Sequence, residues 1–307
     1  MTEPLFDTIA VIGLGLIGSS VARGIKARGL ARKVVGYDLS PEVRARASEL
    51  GFCDEIANTT AAAAGAGLVV VAVPVGATAE AVEAIAPHLG KSTIVTEVGS
   101  VKAAVIRQVV PQLPPGVAFV PGHPIAGTEY SGPDAGFAEL FDGRWCILTP
   151  CERSCEAAVE KVAALWRALG SAVEIMTPEH HDIVLAITSH IPHLIAFNIV
   201  GTAADVEEVT RSEVIKFSAG GFRDFTRIAA SDPVMWRDVF LNNKEAVLEM
   251  LGRFSEDLAA LQRMIRWDDG EALLELFTRT RAIRRGIIEA GQDTPAADFG
   301  RPHGHED

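Results

Sequence analysis

Short apolar runs alternate with stretches of helical periodicity over the first half of the chain. The helical stretches include Ser19–Arg28, Pro41–Leu50 and Cys155–Leu169. Strands that alternate with helices along a sequence are typical of a parallel sheet covered on both faces. We therefore expect residues 1–176 to form an α/β domain with a doubly wound parallel sheet. The apolar runs predict strands over Thr8–Ile12, Lys33–Tyr37, Leu68–Val73, Thr93–Thr96, Val117–Val120, Trp145–Leu148 and Ala172–Ile175.

The pattern changes at Thr177-Pro178-Glu179, where a capping residue, a proline and an acid mark a helix start. Helical periodicity dominates from there, and we expect the first helix to bend near Pro192. Residues 177–290 are therefore predicted to form an all-helical domain, and the polar residues 291–307 a disordered tail. The predicted helices run from Pro178 to about Ala204, over Asp205–Phe217 and Phe222–Ala229, from Ser231 to about Arg266, and over Glu271–Glu289.

The predicted helical domain carries apolar residues on more than one helix face. A monomer would leave part of this surface exposed to water, whereas a second copy would cover it. We therefore expect a homodimer formed through the helical domain. The residues that indicate this are Val247, Leu248, Met250, Leu251, Phe254, Leu258 and Leu261.

Composition and charge narrow the class of protein. The chain has 307 residues, of which 48% are hydrophobic, and a net charge of −12. Nucleic acids and anionic membranes bind basic surfaces, so neither is an expected partner. The acidic start lacks the basic region of a signal peptide, and we expect no apolar run as long as a membrane span. These features favour a cytoplasmic protein with free cysteines.

A glycine-rich turn follows the first predicted strand. Gly13, Gly15 and Gly18 form a Gly-x-Gly-x-x-Gly pattern, with Leu16 and Ile17 between the second and third glycines. In such a turn the first glycine permits a tight bend, the second lets the backbone approach a pyrophosphate, and the third lets the helix pack on the sheet. The strand before it and the helix after it predict a Rossmann-type dinucleotide site.

The choice of dinucleotide depends on Asp38, which lies 20 residues beyond the third glycine. A carboxylate there can accept both ribose hydroxyls and would repel a 2′-phosphate, so we expect NAD as the cofactor. Arg44 and Arg46 on the next helix keep NADP open as the second choice. Val73 and Pro74 end a buried strand and should line the cofactor crevice.

His123 is the candidate base. It follows an apolar strand in a segment rich in glycine and proline, and we expect it to lie on a loop at the carboxyl edge of the sheet. A histidine at this place can take a proton from a substrate hydroxyl beside a bound nicotinamide. Ser100, after the preceding strand, can bond that hydroxyl or the imidazole, and can equally cap a helix.

The helical half offers a second set of candidates. His190 and His193 lie three residues apart on one helical face, but further ligands at metal spacing are missing, so we expect no metal site. Arg227 has a planar guanidinium suited to a carboxylate, and Asp224 can orient a neighbouring arginine. A surface ion pair explains Arg227 and Asp224 equally well.

Five motifs occur in one order along the chain: Val11–Ser20, Glu97–Lys102, Gly122–Gly127, Ser189–His193 and Phe222–Arg227. With them, the chain resembles the prephenate/arogenate (cyclohexadienyl) dehydrogenase family of tyrosine biosynthesis over about residues 8–290. The second run contains the candidate serine and the third contains the candidate histidine. The third and fifth runs are specific to this family in combination, whereas the glycine fingerprint is not. One departure is the glutamate that begins the second motif, where the family commonly has aspartate.

The resemblance implies roles for individual residues. His123 would be the catalytic base at the C4 hydroxyl of the cyclohexadiene, and Ser100 would bond that hydroxyl and the histidine. Arg227 would bind a substrate carboxylate, and His193 would lie near the side-chain end of the substrate. Residues implied to line the site or its gate, some of them across a dimer, are Glu129, Gly220, Asp224 and Trp236.

The implied reaction is an NAD-dependent oxidative decarboxylation of prephenate, arogenate or both. The side-chain end of the substrate should decide between them, through His190, His193, Glu129 and a loop that begins at Thr128. A β-hydroxyacid dehydrogenase-like enzyme has the same layout, but Lys216 and Lys244 fall outside a matching catalytic motif. An NAD-sensing homologue without activity is the other alternative.

Overall fold

The protein is described by a computed structural model that covers residues 3–289 except 129, 211–215, 217 and 218. Its first half is an eight-stranded sheet with the order β3-β2-β1-β4-β5-β6-β7-β8. The predicted Rossmann-type sheet is therefore confirmed. The strands are β1 Phe6–Ile12, β2 Ala31–Tyr37, β3 Glu55–Ile56, β4 Leu68–Val71, β5 Ile94–Glu97, β6 Ala118–Pro124, β7 Trp145–Leu148 and β8 Ala172–Ile175.

Helices cover both faces of this sheet and pack on two separate clusters of buried apolar side chains. The neighbours from β3 to β6 pair in parallel, so their carboxyl ends meet at one edge of the sheet. The helices between the strands are α1 Leu16–Arg28, α2 Pro41–Leu50, α3 Thr78–Ile85, α4 Ala103–Val109 and α5 Glu156–Ala168.

The sheet differs from the prediction at its functional edge. β6 does not end at Val120 but continues to Pro124, so His123 lies on a strand and not on a loop. The reason is β7, which runs antiparallel to β6 and places Ile147 opposite His123. β5 pairs with the first part of β6, Ala118–Pro121, and β7 pairs with Gly122–Pro124, so the backbone hydrogen bonds to β7 keep the Gly- and Pro-containing end extended.

The second half is helical over its described residues. A π-helical segment, Ala186–His190, precedes Pro192 in the first long helix. Such segments commonly lie at functional sites and relieve the missing hydrogen bond of a proline. The predicted end near Ala204 is wrong because the helix runs on to Thr210. The helices are α6 Pro178–Leu185, α7 Ile191–Thr210, α8 Gly220–Thr226, α9 Pro233–Asn242, α10 Lys244–Arg266 and α11 Gly270–Glu289.

The helix starts follow local signals in the sequence. Thr177 caps α6 by accepting the N–H of His180 at 3.2 Å, with proline at the first helical position. Asp232 caps α9 in the same way through the N–H of Met235, at 2.8 Å. Asn243 separates α9 from α10, so the predicted single helix from 231 to 266 is two helices.

Helix α9 joins the two halves. Trp236 and Val239 are buried in the same apolar cluster as Val71, Val75 and Val101 of the sheet domain. The helices beyond α9 contrast with it, because large apolar side chains on α10 and α11 stay exposed. They include Leu258, Ile265, Leu274, Phe277 and Ile283. The predicted tail, residues 291–307, lies outside the described residues.

One helical stretch among the described residues, Pro178–Val206, is long and apolar enough to cross a membrane by length and composition. The expectation that no apolar run reaches that length is therefore wrong. The same stretch carries His181 and Asp182, whose side chains hydrogen-bond to the sheet domain. These polar contacts dock the start of the stretch on the protein.

Candidate active site

The glycine-rich turn has the close packing that a dinucleotide site needs. Gly13 has a φ of +92°, and a Cβ there would lie 2.5 Å from the carbonyl oxygen of Ala72. A Cβ on Gly18 would lie 1.9 Å from the Gly13 carbonyl oxygen, whereas one on Gly15 would meet nothing within 4 Å. The main chain at Gly15 is therefore open to a ligand at the N-terminus of α1, where helical N–H groups favour a pyrophosphate.

The groups around this turn fit NAD. Asp38 follows β2 and accepts the N–H of Leu14 at 2.8 Å and that of Ser40 at 2.9 Å, which holds its carboxylate beside the turn. Arg46 binds Asp134 through two of its nitrogens, and Arg44 donates to main-chain carbonyls. The two arginines that kept NADP open are thus engaged by the protein itself.

The predicted first-turn and strand-end residues also lie in this crevice. Leu16 and Ile17 open α1 and are partly exposed. Val73 follows β4, and its Cγ1 would be 2.9 Å from a Cβ on Gly13. Pro74 is exposed at the carboxyl end of the same strand. These positions give the crevice apolar walls.

His123 is linked to a pair of residues on α6. Its Nδ1 lies 2.9 Å from Nε2 of His181, and Nδ1 of His181 lies 2.8 Å from Oδ1 of Asp182. Among the described residues, the hydrogen-bond partner of the His123 ring is therefore His181 and not Ser100. His181 is fully buried, and Asp182 is 5% exposed.

The pKa shifts of these three groups determine which of them are charged, and therefore which ring nitrogens carry a hydrogen. Burial lowers the pKa of His123 well below its usual value, with further lowering by His181 and Lys102. Burial also lowers the pKa of His181, against the opposing hydrogen bond to Asp182. Burial raises the pKa of Asp182, but hydrogen bonds from His181 and from main-chain N–H groups outweigh it and leave that pKa below normal. At neutral pH the carboxylate is ionised and both rings are neutral.

An ionised carboxylate only accepts hydrogen bonds, so Nδ1 of His181 carries a hydrogen and donates to Asp182. Nε2 of His181 then holds a lone pair and accepts from Nδ1–H of His123. The remaining ring nitrogen of His123, Nε2, has a lone pair and no proton. The chain Asp182–His181–His123 thus sets His123 in the tautomer of a general base.

Asp182 also connects the two halves. Its carboxylate accepts the N–H of Lys102 at 2.8 Å and that of Ala103 at 2.9 Å. They belong to the residue that precedes α4 and to the first residue of α4, and N–H groups at a helix start lack a partner within the helix. Ser100 lies just before, partly buried, and α4 begins after it, so Ser100 does not cap the helix. Its side chain is left for other partners.

His190 is fully buried and bonds within the protein. Its Nδ1 lies 3.1 Å from Nδ2 of Asn243, which donates to the main-chain oxygen of Asp182 at 2.9 Å. Burial lowers the pKa of His190 to about 4, although Asp182 and the main chain of Ser100 oppose the shift. The structure therefore places His190 behind the site, as a neutral support between α7, α10 and the Ser100 segment.

His193 and Trp236 form a stacked pair, with ring centroids 3.7 Å apart. Nδ1 of His193 lies 2.8 Å from the main-chain oxygen of Ser189, so Nδ1 carries a hydrogen and Nε2 a lone pair. Burial lowers the pKa of His193, the bond to Ser189 opposes this, and the charge of Arg227 lowers it further. The charge of Arg227 thus acts on His193, which places the two side chains in one region of the helical half.

The remaining predicted residues lie around α8 and one loop. Gly220 begins α8, and Asp224 is exposed and forms an ion pair with Arg223 at 3.1 Å. Thr128 accepts the N–H of Tyr130 through its hydroxyl, at 3.2 Å. Glu129 lies outside the described residues. Among the described residues, no group of three or more His, Cys, Asp or Glu side chains could hold a metal ion.

Sequence reasoning missed His181, Asp182 and Asn243. A signal for the first two was present, because they follow Thr177-Pro178 and lie in the first turns of a helix. Their partners, however, lie 58 and about 80 residues away along the chain, which no local pattern indicates. Lys102 ends the Glu97–Lys102 motif, but the sequence indicated no role for it.

Comparisons with known proteins show the family of the chain. The sequence matches the family model of the prephenate dehydrogenase nucleotide-binding domain over residues 21–175 and that of the prephenate dehydrogenase dimerization domain over residues 177–279. The chain is 44% identical to a cyclohexadienyl dehydrogenase of Zymomonas mobilis, across 92% of this chain and 97% of that protein. It is 36% identical to a prephenate dehydrogenase of Bacillus subtilis, across 92% and 76%.

Solved structures give the same result. A crystal structure of prephenate dehydrogenase from A. aeolicus, in complex with hydroxyphenyl propionate and NAD+, matches with a TM-score of 0.86 and 34% identity, across 94% of this chain and 99% of that one. A Synechocystis arogenate dehydrogenase matches with a TM-score of 0.77 and 26% identity, across 91% and 99%. The chain therefore belongs to the prephenate dehydrogenase family, whose nucleotide-binding domain precedes a dimerization domain.

Proposed function

We propose that the protein oxidises and decarboxylates prephenate, arogenate or both, with NAD as the hydride acceptor. The observation that carries this proposal is the chain Asp182–His181–His123 at the edge of the sheet that also carries the glycine-rich turn. Carboxyl ends of parallel strands meet at one edge, so a base on β6 and a nicotinamide bound after β1 face the same crevice.

His123 acts first on the C4 hydroxyl of the ring. Its unprotonated Nε2 accepts the hydroxyl hydrogen and polarises the oxygen, while His181 holds the ring in place. Ser100, whose side chain is not committed to capping α4, donates to or accepts from the same oxygen. A positioned base of this kind contributes roughly 10²–10⁴-fold to the rate.

The electron balance follows from the substrate. A bound NAD would supply the acceptor for the C4 hydrogen, which would leave the ring as hydride and so oxidise it. The bond from C1 to the ring carboxylate then breaks, CO2 leaves, and its electron pair completes the aromatic ring. The proton held at His123 then returns to the phenolate oxygen, which leaves His123 neutral again. Aromatisation drives the reaction, so the protein supplies orientation, a base and a water-poor site.

The other end of the substrate is assigned to the helical half. Arg227 would bind a carboxylate with its guanidinium, and its charge already acts on His193. Nε2 of His193 is an acceptor and would bond the ammonium of arogenate better than the keto oxygen of prephenate. Glu129, Thr128, Gly220 and Asp224 remain candidates for lining this end or its gate.

Steady-state kinetics with both substrates and both dinucleotides test the proposal. We expect NADH to form from prephenate, arogenate or both, and kcat/KM to be higher with NAD than with NADP. If neither substrate reduces NAD although the protein binds it, the NAD-sensing alternative replaces the enzyme. Oxidation of a small β-hydroxyacid instead would favour the β-hydroxyacid dehydrogenase reading.

The assembly proposal is a cytoplasmic homodimer joined through the helical half. Exposed apolar side chains on α10 and α11 support it, and the family to which the chain belongs has a dimerization domain in this region. The boundary proposed between the two domains lies at 176/177, between the end of β8 and the start of α6. Light scattering at micromolar concentration should give the mass of two chains, and a monomer mass would contradict the dimer.

A further inference from the structure

A buried ion pair lies directly behind the two residues to which the chemistry is assigned. The side chains of Lys102 and Glu97 are 0% and 1% exposed and contact each other. Within the described residues every other Lys or Arg ion pair that the structure shows has at least one partly exposed partner. The mechanism above uses neither Lys102 nor Glu97.

The pair reaches the main chain next to each chemical residue. Glu97 accepts the N–H of Gly99 through Oε2 at 2.8 Å, and Gly99 precedes Ser100. Lys102 donates through Nζ to the carbonyl oxygen of Gly122 at 2.6 Å, and Gly122 precedes His123. One ion pair therefore connects the peptides that carry the serine and the histidine.

The surroundings leave this connection little freedom. A Cβ on Gly99 would lie 2.9 Å from Oε2 of Glu97, so the main chain packs directly on the carboxylate. The main-chain N–H of Lys102 also donates to Asp182, which orders His181. The pair thus lies where β5, β6 and α6 meet.

Stability alone is a weak reason for such a pair. Removing two charges from water costs free energy that their attraction repays only with good geometry, and apolar replacements of similar volume are often neutral or stabilising. Buried polar groups can instead fix one particular arrangement of the main chain. The contacts of this pair, which join the peptides beside Ser100 and His123, fit that second role.

We propose that the Glu97–Lys102 ion pair sets the separation and orientation of Ser100 and His123. Both members are positioning residues, because they touch the main chain beside the chemical groups and not the substrate. The inference rests on the function proposed above. A misplacement of about 1 Å at a reacting group can lower the rate about 10²-fold.

The charge of Lys102 adds a second effect on His123. It is among the groups that lower the pKa of His123, after burial and His181. With the ammonium removed, the pKa of His123 should rise. The titratable groups that face His123 from the elements around it are Glu97, Lys102, Cys146, His181, Asp182 and His190.

The test compares Lys102→Met, Glu97→Gln and the double variant in the full-length enzyme. The single changes leave one buried charge without a partner and should lower the melting temperature, whereas the double change removes both charges and should recover it. For the double variant we expect kcat to stay about 10- to 100-fold low, with the Kd for NAD unchanged. A melting temperature and a kcat that both return to the wild-type values would overturn the proposal.

Two further readouts separate positioning from a structural role. Glu97→Asp keeps the charge and should retain most of kcat, and a loss as large as that of Glu97→Gln would count against the ion pair. The acidic limb of the kcat/KM profile should move to higher pH in Lys102→Met and in the double variant. If the limb does not move, the charge of Lys102 has no effect on the pKa of His123, and Lys102 acts only through its hydrogen bond to Gly122.

Two control variants distinguish a failure of the ion-pair proposal from a failure of the proposed function. Lys33→Met removes a matched lysine from a half-exposed pair with Glu55 and should leave kcat unchanged. His123→Asn tests the base itself. If that variant keeps full activity, the function of His123 is wrong; if it is inactive while the double variant is fully active, only the role of the ion pair is wrong.

Discussion

The two ends of the candidate site are built in different ways. At the reacting end, His123, His181 and Asp182 bond one another at 2.8–2.9 Å, and the first turn of α4 supplies the remaining donors. At the distal end, His193 stacks on Trp236, whose buried indole N–H has no hydrogen-bond partner among the described residues. The hydrogen bonds that set the tautomer of His123 are therefore made within the chain, whereas the described contacts leave Nε2 of His193 as an acceptor without a partner.

This difference suggests that the reacting end carries out the chemical step and the distal end selects the substrate. A network satisfied within the chain holds one tautomer before the substrate binds, so it can fix the chemistry for every substrate. Groups that lack partners can choose between substrates, because an unpaired buried donor or acceptor is costly when the ligand does not match it. Changes at the reacting end should therefore alter kcat, and changes at the distal end should alter KM or substrate preference.

The largest effect is expected from His123→Asn. This change removes the base but keeps a polar side chain of similar reach, so kcat should fall about 10²- to 10⁴-fold with prephenate and with arogenate alike. NAD binding, measured by fluorescence titration, should be unchanged. An unaltered kcat would show that the proton goes elsewhere.

Asp182→Asn should act through the tautomer. The amide can donate to Nδ1 of His181, which would place the hydrogen of His181 on Nε2 and force Nδ1 of His123 to accept. His123 would then carry its hydrogen on Nε2 and could no longer act as a base, so we expect kcat to fall about 10²-fold or more at a similar KM. A change confined to KM would contradict the relay.

Acid should lower the free energy of unfolding through His190, which lies behind the site. The pKa of His190 is lowered from 6.5 to about 4, so the unfolded chain binds its proton more readily than the folded one. Stability is then full above pH 6.5 and decreases as the pH falls towards 4. For this group alone the loss is on the order of 3 kcal/mol. Urea unfolding across this range measures it, and His190→Gln should flatten the curve; an equally steep curve would assign the loss to other groups.

Arg227→Ala should raise KM about 10- to 100-fold, because a charge-assisted bond to a carboxylate is present in the bound substrate as well as in the transition state. The fall in kcat should be smaller. Arg167→Ala, which removes an exposed arginine paired with Glu160, is the matched control and should change neither constant. A pure kcat effect would move Arg227 to the reacting end.

The smallest effect is expected from His193→Asn. Nε2 of His193 is an acceptor, so its loss should weaken arogenate more than prephenate and shift the ratio of their kcat/KM values a few-fold towards prephenate. Competition between the two substrates in one assay measures this ratio directly. Equal losses for both would place His193 outside the group that reads the side chain.

Much of the fold was predictable because the signals are local. The alternation of strands and helices, the glycine turn with Asp38, and the caps at Thr177 and Asp232 all act over a few residues. The strand position of His123 was not, since it depends on β7, whose antiparallel pairing with β6 leaves no mark in a Gly- and Pro-containing segment.

The site was predictable in its parts but not in its connections. Single residues such as His123 and Arg227 could be chosen from their chemistry and from the family resemblance. Asp182 bonds Lys102 across 80 residues, and the burial of the Glu97–Lys102 pair arises only once three elements meet. Contacts of this kind belong to tertiary packing, so propensity and spacing carry no information about them.

The tautomer of His123 is the most direct test of the central claim. Long-range ¹H–¹⁵N correlation spectra of the histidine rings at neutral pH, with NAD bound, report which ring nitrogens carry hydrogen. The account predicts Nδ1–H and an unprotonated Nε2 for His123, and the same pattern for His181. A hydrogen on Nε2 of His123, or a doubly protonated ring, would contradict it.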